Sequence, residues 1–245
     1  MGELIAVLSG KGGTGKTSVC AGIATALAEG GSTVLCIDCD IGLRNLDISL
    51  GMSELAALSF LDVCDSSYTL DQATKHPQYP TLQFLTAPMN CEASQIDRGS
   101  FDSMLRKARA LFDYIFLDAP AGIDAGFQLA ARYADRILLV TGSDPASVRD
   151  ARRAGELLEL MGKPDTRLIV NRISEKMSRK LKTTVDDVMD QAGLPLAGVV
   201  PEDVRITLAA GAQKPLLKYA KRCDTAQAFR RIAKRIQGLS VPIDL

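Results

Sequence analysis

The chain lacks several features that would place it in a common functional class. Its formal charge is zero, with 29 basic and 29 acidic residues, so its overall field does not attract nucleic acid. We therefore do not expect a nucleic-acid partner, although a local basic patch remains open. Its one histidine, His76, stands beside Pro77 in a predicted loop, and we interpret it as a surface residue. A Ser-His-Asp triad centred on it has little support.

Long hydrophobic runs are also missing. No run approaches the ~20 apolar residues that a membrane-crossing helix needs, and no N-terminal pattern indicates export. The six cysteines are scattered, which is typical of a reducing compartment. Cys36 and Cys39 end a predicted buried strand and are interpreted as packing residues, because a zinc site would need further ligands. We expect a cytoplasmic protein, and any membrane contact would be peripheral, at the cytoplasmic face of the cell membrane.

The chain does contain a regular alternation of short β-branched runs and longer helical stretches. The runs lack polar alternation, as buried strands of parallel sheets do. The chain has 245 residues, 47% of them hydrophobic, which is enough for one large core. We predict an α/β fold with a doubly wound, mostly parallel sheet and helices on both faces. We expect one domain, residues 1–237, followed by a short C-terminal tail, residues 238–245.

The individual elements follow from the same pattern. The predicted strands are residues 4–8, 33–38, 82–86, 114–118, 136–141, 167–171 and 197–200. The predicted helices are residues 16–29, 100–111, 127–134, 147–161, 185–192 and 225–236. Gly30 and Gly31 predict the end of the first helix. The last helix has an apolar stripe and a basic face; we favour packing against the core over a position on a membrane surface.

A phosphate-binding loop lies between the first strand and the first helix. It reads Gly10-Lys11-Gly12-Gly13-Thr14-Gly15-Lys16-Thr17, and Ser18 follows it. The glycines let backbone N–H groups converge on phosphate oxygens at the positive end of the helix dipole. Lys16 supplies a charge for the β and γ phosphates, and the Thr17 hydroxyl is a ligand for Mg²⁺. Because both flanks fit, nucleotide binding is the leading hypothesis.

Acidic residues follow two other predicted strands at the edge where such sheets bind ligands. Asp38 and Asp40 can orient a metal-bound or attacking water; capping of the next turn is the alternative. Asp118 closes a hydrophobic strand, as a Walker B acid does, and can hold Mg²⁺ opposite Thr17. The predicted metal ligands are Thr17, Asp38 and Asp118.

Two late segments predict the base. The strand that ends near Asn171 and Arg172 is not followed by the acid of a guanine-binding signal, which favours ATP over GTP. Asn171 can pair its amide with adenine. The segment Pro201-Glu202-Asp203 can line the base pocket, and an ordinary strand end at Pro201 is the alternative. The predicted nucleotide-binding residues are Gly10, Lys11, Gly12, Gly13, Thr14, Gly15, Lys16, Thr17, Ser18, Asn171, Arg172, Pro201, Glu202 and Asp203.

Together these motifs resemble the MinD/ParA family of deviant Walker A ATPases. The resemblance rests on the phosphate loop and on residues 38–47, 118–123, 147–150 and 198–203. It extends from the N-terminus to about Gln237. The loop and the Walker B strand match the whole family, whereas Gly42-Leu43-Arg44-Asn45-Leu46-Asp47 with Ser147-Val148-Arg149-Asp150 is particular to its MinD branch.

The resemblance implies a Mg²⁺-dependent ATPase of low turnover that forms a homodimer around two ATP molecules and acts in division-site selection. The catalytic residues that it implies are Lys11, Lys16 and Asp40. Lys11 would reach the phosphates of the other subunit, as an arginine finger supplied in trans does. Asp40 would help to activate water, Asp118 would hold Mg²⁺, and Asp150 would pair with Lys11.

The resemblance also implies protein partners. In the family, the helix that begins near Ser147 binds a division inhibitor and an ATPase-stimulating protein. This chain carries Arg149, Asp150, Arg152 and Arg153 there, and Arg152 stands where an acid is typical. Family members usually end in an amphipathic, membrane-inserting helix. Residues 238–245 do not have that pattern, so we expect no membrane anchor of this kind.

Three alternatives remain open. A ParA-like partition or flagellar-placement ATPase would bind DNA through the basic C-terminal region. A reductase resembling the nitrogenase iron protein would need cysteines placed to bridge two subunits. A non-catalytic nucleotide-dependent scaffold would release no phosphate.

Overall fold

The sheet confirms the predicted fold class. The computed structural model describes residues 1–41, 43–89, 91, 95–163, 165–174 and 183–243. Within these ranges the strands are β1 (Glu3–Leu8), β2 (Val34–Asp38), β3 (Thr74–His76), β4 (Tyr79–Leu85), β5 (Tyr114–Asp118), β6 (Arg136–Thr141), β7 (Thr166–Ile173) and β8 (Leu196–Pro201). They pair in the order β3-β4-β2-β5-β1-β6-β7-β8. Every neighbouring pair is parallel except β3 and β4, which are antiparallel.

Helices cover both faces of this sheet. They are α1 (Lys16–Glu29), α2 (Leu46–Leu50), α3 (Phe60–Cys64), α4 (Arg98–Leu111), α5 (Ala125–Tyr133), α6 (Pro145–Leu160), α7 (Val185–Ala192), α8 (Arg205–Gly211), α9 (Leu216–Tyr219) and α10 (Asp224–Ile236), with a 3-10 helix at Leu70–Gln72. One hydrophobic cluster lies under α4, α5, α6 and α7, and the other lies under α1 and α10. Successive residues of β1 alternate between them: Leu4 belongs to the first and Ile5 to the second. The sheet is therefore buried on both faces, as its apolar strands require.

Local signals in the sequence explain where the long helices begin and end. Asp97 accepts a hydrogen bond from Ser100 N at the start of α4. Asp144 accepts one from Ser147 N at the start of α6, where Pro145 is the first helical residue. Helix α1 ends at Gly30, as predicted.

The strands and long helices are predicted correctly to within about three residues at their ends. The antiparallel β3 and the short helices α2, α3, α8 and α9 are not predicted, since helices of four to seven residues make at most about two turns and a strand of three residues is too short to show a pattern.

The surface interpretation of His76 is wrong. The ring is buried, its Nε2 lies 2.9 Å from the carbonyl oxygen of Leu50, and its Nδ1 accepts hydrogen bonds from backbone N–H groups of Gln78 and Tyr79. Pro77 does mark a turn, but the backbone of this turn and of the next residue binds the histidine ring.

The interpretation of the last helix as core-packed is confirmed. Phe229, Ile232, Ala233 and Ile236 of α10 are buried in the cluster beneath α1. Among the described residues, no helix combines the length and the hydropathy needed to cross a bilayer.

The contact between α1 and α10 gives a test of this packing. A Cβ atom at Gly22 would lie 2.3 Å from two ring carbons of the buried Phe229. We expect Gly22→Ala to lower the free energy of unfolding by about 1–3 kcal/mol, because the ring cannot move aside in a close-packed core. Urea denaturation measures this loss.

Gly211→Ala is the matched control. A Cβ atom at this helical glycine has no neighbour within 4 Å among the described atoms, so its stability should be unchanged or slightly higher. Equal stabilities of the two variants would contradict the described contact.

Candidate functional site

The loop between β1 and α1 lies at the carboxyl edge of the sheet, in the middle of the strand order. Gly13 and Gly15 have φ of 81° and 83°, in the left-handed region that favours glycine. A side chain at Gly10 would meet the carbonyl oxygen of Asp150 at 2.4 Å, and one at Gly15 would meet Asn171 Nδ2 at 2.3 Å. The glycines are therefore required both by the loop conformation and by the elements packed beneath it.

A buried ion pair lies at the base of this loop. The Nζ atom of Lys16, the first residue of α1, is 2.5 Å from Oδ1 of Asp118, the last residue of β5, and 3.4 Å from the Thr17 hydroxyl. The two side chains are 6% and 1% exposed. Burial alone would lower the pKa of Lys16, but the Asp118 carboxylate more than offsets this effect and raises it. Lys16 therefore carries its positive charge in the interior.

The second carboxylate oxygen of Asp118 does not take part in this ion pair. Oδ2 of Asp118 is buried and has no hydrogen-bond partner in the described part of the chain. A buried carboxylate oxygen without a partner is costly unless a ligand completes it. Asp118, the adjacent Thr17 hydroxyl and the glycine loop therefore fit a magnesium ion with a bound phosphate.

Asp38 lies beside this pair and organises the next loop. It is opposite Asp118 in the register of β2 and β5, and burial together with the Asp118 charge raises the pKa of Asp38 to about 7. Its carboxylate accepts hydrogen bonds from the backbone N–H groups of Asp40, at 2.9 Å, and Leu46, at 3.2 Å. The turn-capping alternative is thus present, and the role of Asp38 as a metal ligand stays a prediction.

The loop after β2 brings Asp40 to the same edge. The Asp40 carbonyl accepts a hydrogen bond from Arg44 N, and the Arg44 side chain donates to the Thr86 hydroxyl at 3.1 Å. Arg44 has φ of 49°, which is uncommon for a residue with a Cβ atom. The loop is therefore held from both sides, and Asp40 itself is half-buried. Gly42 of the motif lies outside the described residues.

Lys11 forms a different ion pair from the one implied by the resemblance. Its Nζ lies 3.6 Å from Oδ1 of Asp144, and both side chains are about half exposed. Asp150 instead packs its backbone against Gly10. The physical reason is the start of α6: Asp144 caps the helix, so its carboxylate lies at the edge of the sheet, while Asp150 is further along the helix.

The charge of Asp144 suits this contact. Burial alone would raise its pKa, but hydrogen bonds from Ser147 and the charge of Lys11 hold the pKa of Asp144 below its usual range. The sequence interpretation missed this residue, although Asp144-Pro145 before a helix is a recognisable capping signal.

Of the residues predicted to bind the adenine base, Asn171 contacts the phosphate loop and Arg172 lines a cavity beside it. The Nδ2 group of Asn171 donates to the carbonyl oxygen of Thr14 at 2.7 Å, so this part of the amide supports the phosphate loop. Its Oδ1 is buried and has no hydrogen-bond partner among the described atoms. Arg172 has φ of 57° and lines a cavity of about 220 Å³ with Ser18, Ile206 and other residues. This cavity adjoins the loop.

The segment after β8 is held by the protein itself. Glu202 N donates to the carbonyl oxygen of Ile173, and Asp203 accepts hydrogen bonds from Arg205 N and from the Thr225 hydroxyl at 2.9 Å. Asp203 therefore positions α8 and α10. Pro201 ends β8, so its interpretation as a strand terminator is consistent with the structure.

The cysteines act as packing residues where the prediction placed them. Cys36 and Cys39 are buried, and burial raises the pKa of both thiols. No group of three or more His, Cys, Asp or Glu side chains in the described ranges could hold a metal ion alone.

Comparison with known proteins agrees with this geometry. Residues 5–216 match the family described as the CobQ/CobB/MinD/ParA nucleotide binding domain. The chain is 37% identical to the septum site-determining protein MinD of Synechocystis over 244 residues, which cover 99% of this chain and 92% of that protein. It is similar to the structure of the MinC:MinD cell division protein complex of Aquifex aeolicus, with a TM-score of 0.90, 34% identity and 99% of both chains covered. It is also similar to the septum site-determining protein MinD of Pyrococcus horikoshii complexed with Mg-ADP, with a TM-score of 0.80, 27% identity and 96% of both chains covered.

The buried pair can be tested without any ligand. Lys16→Met and Asp118→Asn each remove one partner, and we expect each to lower the free energy of unfolding by about 3–5 kcal/mol, because an uncompensated charge stays buried. The double variant should recover most of this loss. Urea denaturation of all four proteins at neutral pH gives the coupling energy. Additive losses, or single variants as stable as the wild type, would contradict the pair.

Proposed function

Because the chain belongs to the MinD branch of the CobQ/CobB/MinD/ParA nucleotide-binding family, we propose that it is an ATP-dependent switch that dimerises with ATP, hydrolyses it slowly to ADP and phosphate, and acts in division-site selection. The MinD/ParA members of this family are ATPases. The observation that carries the proposal is the buried Lys16–Asp118 pair beneath the glycine loop. A lysine is rarely buried, and its position at the start of α1 is where a nucleotide phosphate binds.

Contacts within the chain hold the residues of the proposed phosphate site in position. Lys16 is held in place by Asp118, and its ammonium group can turn to the β and γ phosphates when they bind. The N–H groups of the loop and of α1 complete the anion site. Thr17 and Asp118, with Asp38 close by, would then hold Mg²⁺, which supplies charge for the phosphoryl oxygens.

We assign hydrolysis to residues at the same edge. Asp40 would orient the attacking water, and Asp38 supports it by binding the backbone of Asp40. Phosphoryl transfer depends mainly on such positioning. Lys16 would stabilise the charge on the transferred phosphate.

Apolar side chains surround this edge and support the homodimer. Leu43, Met89, Ile123 and Val204 follow β2, β4, β5 and β8 and are 69%, 78%, 43% and 70% exposed. Such residues together indicate an interaction surface. Lys11 lies on the same edge. In the dimer it would leave Asp144 and contact the phosphates bound to the other subunit.

We propose adenine as the base. The Oδ1 atom of Asn171, which has no hydrogen-bond partner among the described residues, would accept a hydrogen bond from the exocyclic amino group of adenine. Ser18 and Arg172, at the neighbouring cavity, and the backbone of Pro201, Glu202 and Asp203 would surround the base and sugar. The domain that carries these residues is residues 1–237.

The partners follow from the family as well. The Aquifex aeolicus relative forms a MinC:MinD complex, so we propose that this chain binds a division inhibitor and a stimulating protein, at α6. Arg152 of that helix forms an ion pair with Glu156. The negative charge of Glu156 partly offsets the positive charge of Arg152 on this surface. We place the protein in the cytoplasm. Any association with the membrane would be peripheral, at its cytoplasmic face.

A ParA-like positioning role is the second candidate. It is favoured by exposed basic side chains near the C-terminus, namely Lys214, Lys218, Lys221 and Arg222. Salt-sensitive binding to DNA in the presence of ATP would distinguish it.

Sedimentation of the wild type and Lys11→Ala tests the switch. With ADP we expect a monomer, and with a non-hydrolysable ATP analogue a dimer. Lys11→Ala should bind nucleotide but form no dimer, since the trans contact is missing, whereas Lys75→Ala, an exposed lysine elsewhere, should behave as the wild type. A wild type that is monomeric with both nucleotides would overturn the proposal.

Asp40→Ala tests the catalytic assignment. We expect phosphate release to fall by at least ~100-fold, because the water loses its orienting group, while ATP binding is kept and the dimer persists. Phosphate-release assays combined with sedimentation measure both effects. Turnover equal to that of the wild type would remove Asp40 from the mechanism.

A further inference from the structure

A short helix connects the phosphate site to the buried histidine. Helix α2 follows the loop that carries Asp40, and its first N–H group, from Leu46, donates to Asp38. At its other end the carbonyl oxygen of Leu50 lies 2.9 Å from Nε2 of His76. The last carbonyls of a helix lack partners within the helix. α2 is thus bound at its start by Asp38 and at its end by His76.

The packing of α2 makes these two bonds important. Leu46 and Leu50 are fully buried in the cluster that contains α1. The residue after the helix, Gly51, has φ of 69°, and a Cβ atom there would lie 2.8 Å from the backbone of Lys214. Because a close-packed helix of five residues has little room to deform, we expect it to move as a unit. A shift at Leu50 would then reach Leu46 and the loop before it.

The hydrogen bonds of His76 determine which of its two ring nitrogens carries the proton. Nδ1 accepts from the backbone N–H groups of Gln78, at 3.0 Å, and Tyr79, at 3.2 Å. Nδ1 therefore carries no proton, and Nε2 carries the one that it donates to Leu50. A second proton would set an N–H group of the ring against two backbone N–H groups. The buried arrangement accepts only the neutral ring.

The surroundings of the ring also oppose protonation. Burial lowers the pKa of His76, the bond to Leu50 opposes this, and the positive charge of Lys218 lowers it further. Lys218 of α9 lies 4.5 Å from the centre of the Tyr79 ring, which is tilted against the histidine. The other charged groups near Tyr79 are Glu29 of α1 and Arg230 of α10, which bind each other.

We propose that His76 is a positioning residue: in its neutral form it holds α2, and through α2 the loop of Asp38 and Asp40, in the arrangement that turnover requires, and its protonation releases that arrangement. The inference rests on the proposed function, since it assigns His76 a part in the placement of Asp40. The phosphates would bind at the loop between β1 and α1, outside α2, so we expect His76 to act on turnover more than on affinity.

The pH dependence follows from the same contacts. Above the ordinary histidine pKa of 6.5 the ring is neutral in both the folded and the unfolded chain. Below it the unfolded chain takes up a proton that the folded ring resists, so the stability provided by His76 falls as the pH falls. Turnover needs the ring of the folded chain to be neutral, so it should decline at lower pH still, as the pH passes the lowered pKa of the folded ring.

Two variants separate this role from simple packing. His76→Leu removes the donor to Leu50, and we expect kcat about tenfold lower with nucleotide affinity within about twofold of the wild type, because a small displacement of a catalytic group is costly. His76→Gln keeps an N–H donor and an acceptor, and it should retain most of kcat. Tyr79→Phe is the matched control, since the Tyr79 hydroxyl has no partner in the described chain.

The outcomes are distinct. An unchanged kcat in His76→Leu, or an equal loss in His76→Leu and His76→Gln, would overturn the inference while leaving the proposed function intact. A wild-type chain that releases no phosphate would overturn both. If His76→Leu does not fold, the pH profiles decide. A fall in wild-type kcat below pH 6.5, at the pH where the ring of the folded chain takes up its proton, supports the role if His76→Gln lacks this fall, and identical profiles through that titration reject it.

The wild type gives a readout that does not depend on activity. Because His76 is the only histidine in the chain, nitrogen NMR of labelled histidine reports one ring. We expect the proton on Nε2 at neutral pH and a pKa below 6.5. A proton on Nδ1, or titration at or above 6.5, would overturn the inference.

Discussion

The ion pair between Lys16 and Asp118 is the interaction on which the rest of the site depends. A buried ammonium group is costly unless a carboxylate and hydrogen bonds compensate it, and here the carboxylate lies 2.5 Å away. The pair forms because β5 lies next to β1 in the sheet, so that the residue at the end of β5 reaches the first residue of α1. The parallel sheet thus holds Lys16 in its charged form at the start of α1, in the position that we propose for a bound phosphate.

The neighbouring elements extend this arrangement outward. Asn171 supports the loop from the β7 side by binding the Thr14 carbonyl. Asp38, next to Asp118, holds the following loop and the start of α2, and His76 holds the end of α2. These contacts link the residues of the proposed phosphate site to residues far from it. With the function that we propose, they would connect the state of the nucleotide to the position of Asp40.

Sequence patterns predicted those parts of the site that depend on local structure. The glycine loop, Lys16 and the acid at the end of β5 belong to a strand-loop-helix unit and to one strand end, and the structure brings them together as expected. The partners of Lys11 and Asn171 could not be predicted in the same way, because they depend on how the start of α6 and the end of β7 pack against the loop. The burial of His76 was missed because β3 is three residues long and pairs with β4 through a bulge. A turn signal such as Pro77 cannot show which side of the turn faces the core.

The central claim is that this edge of the sheet is a preformed site for a magnesium-bound adenine nucleotide. Calorimetric titration of purified, nucleotide-free protein with ATP and Mg²⁺, at two temperatures, tests it most directly. The account predicts saturable binding of one nucleotide per chain that is lost in Lys16→Met and weakened when Mg²⁺ is removed. Absence of binding at both temperatures, or equal binding by the Lys16→Met variant, would contradict it.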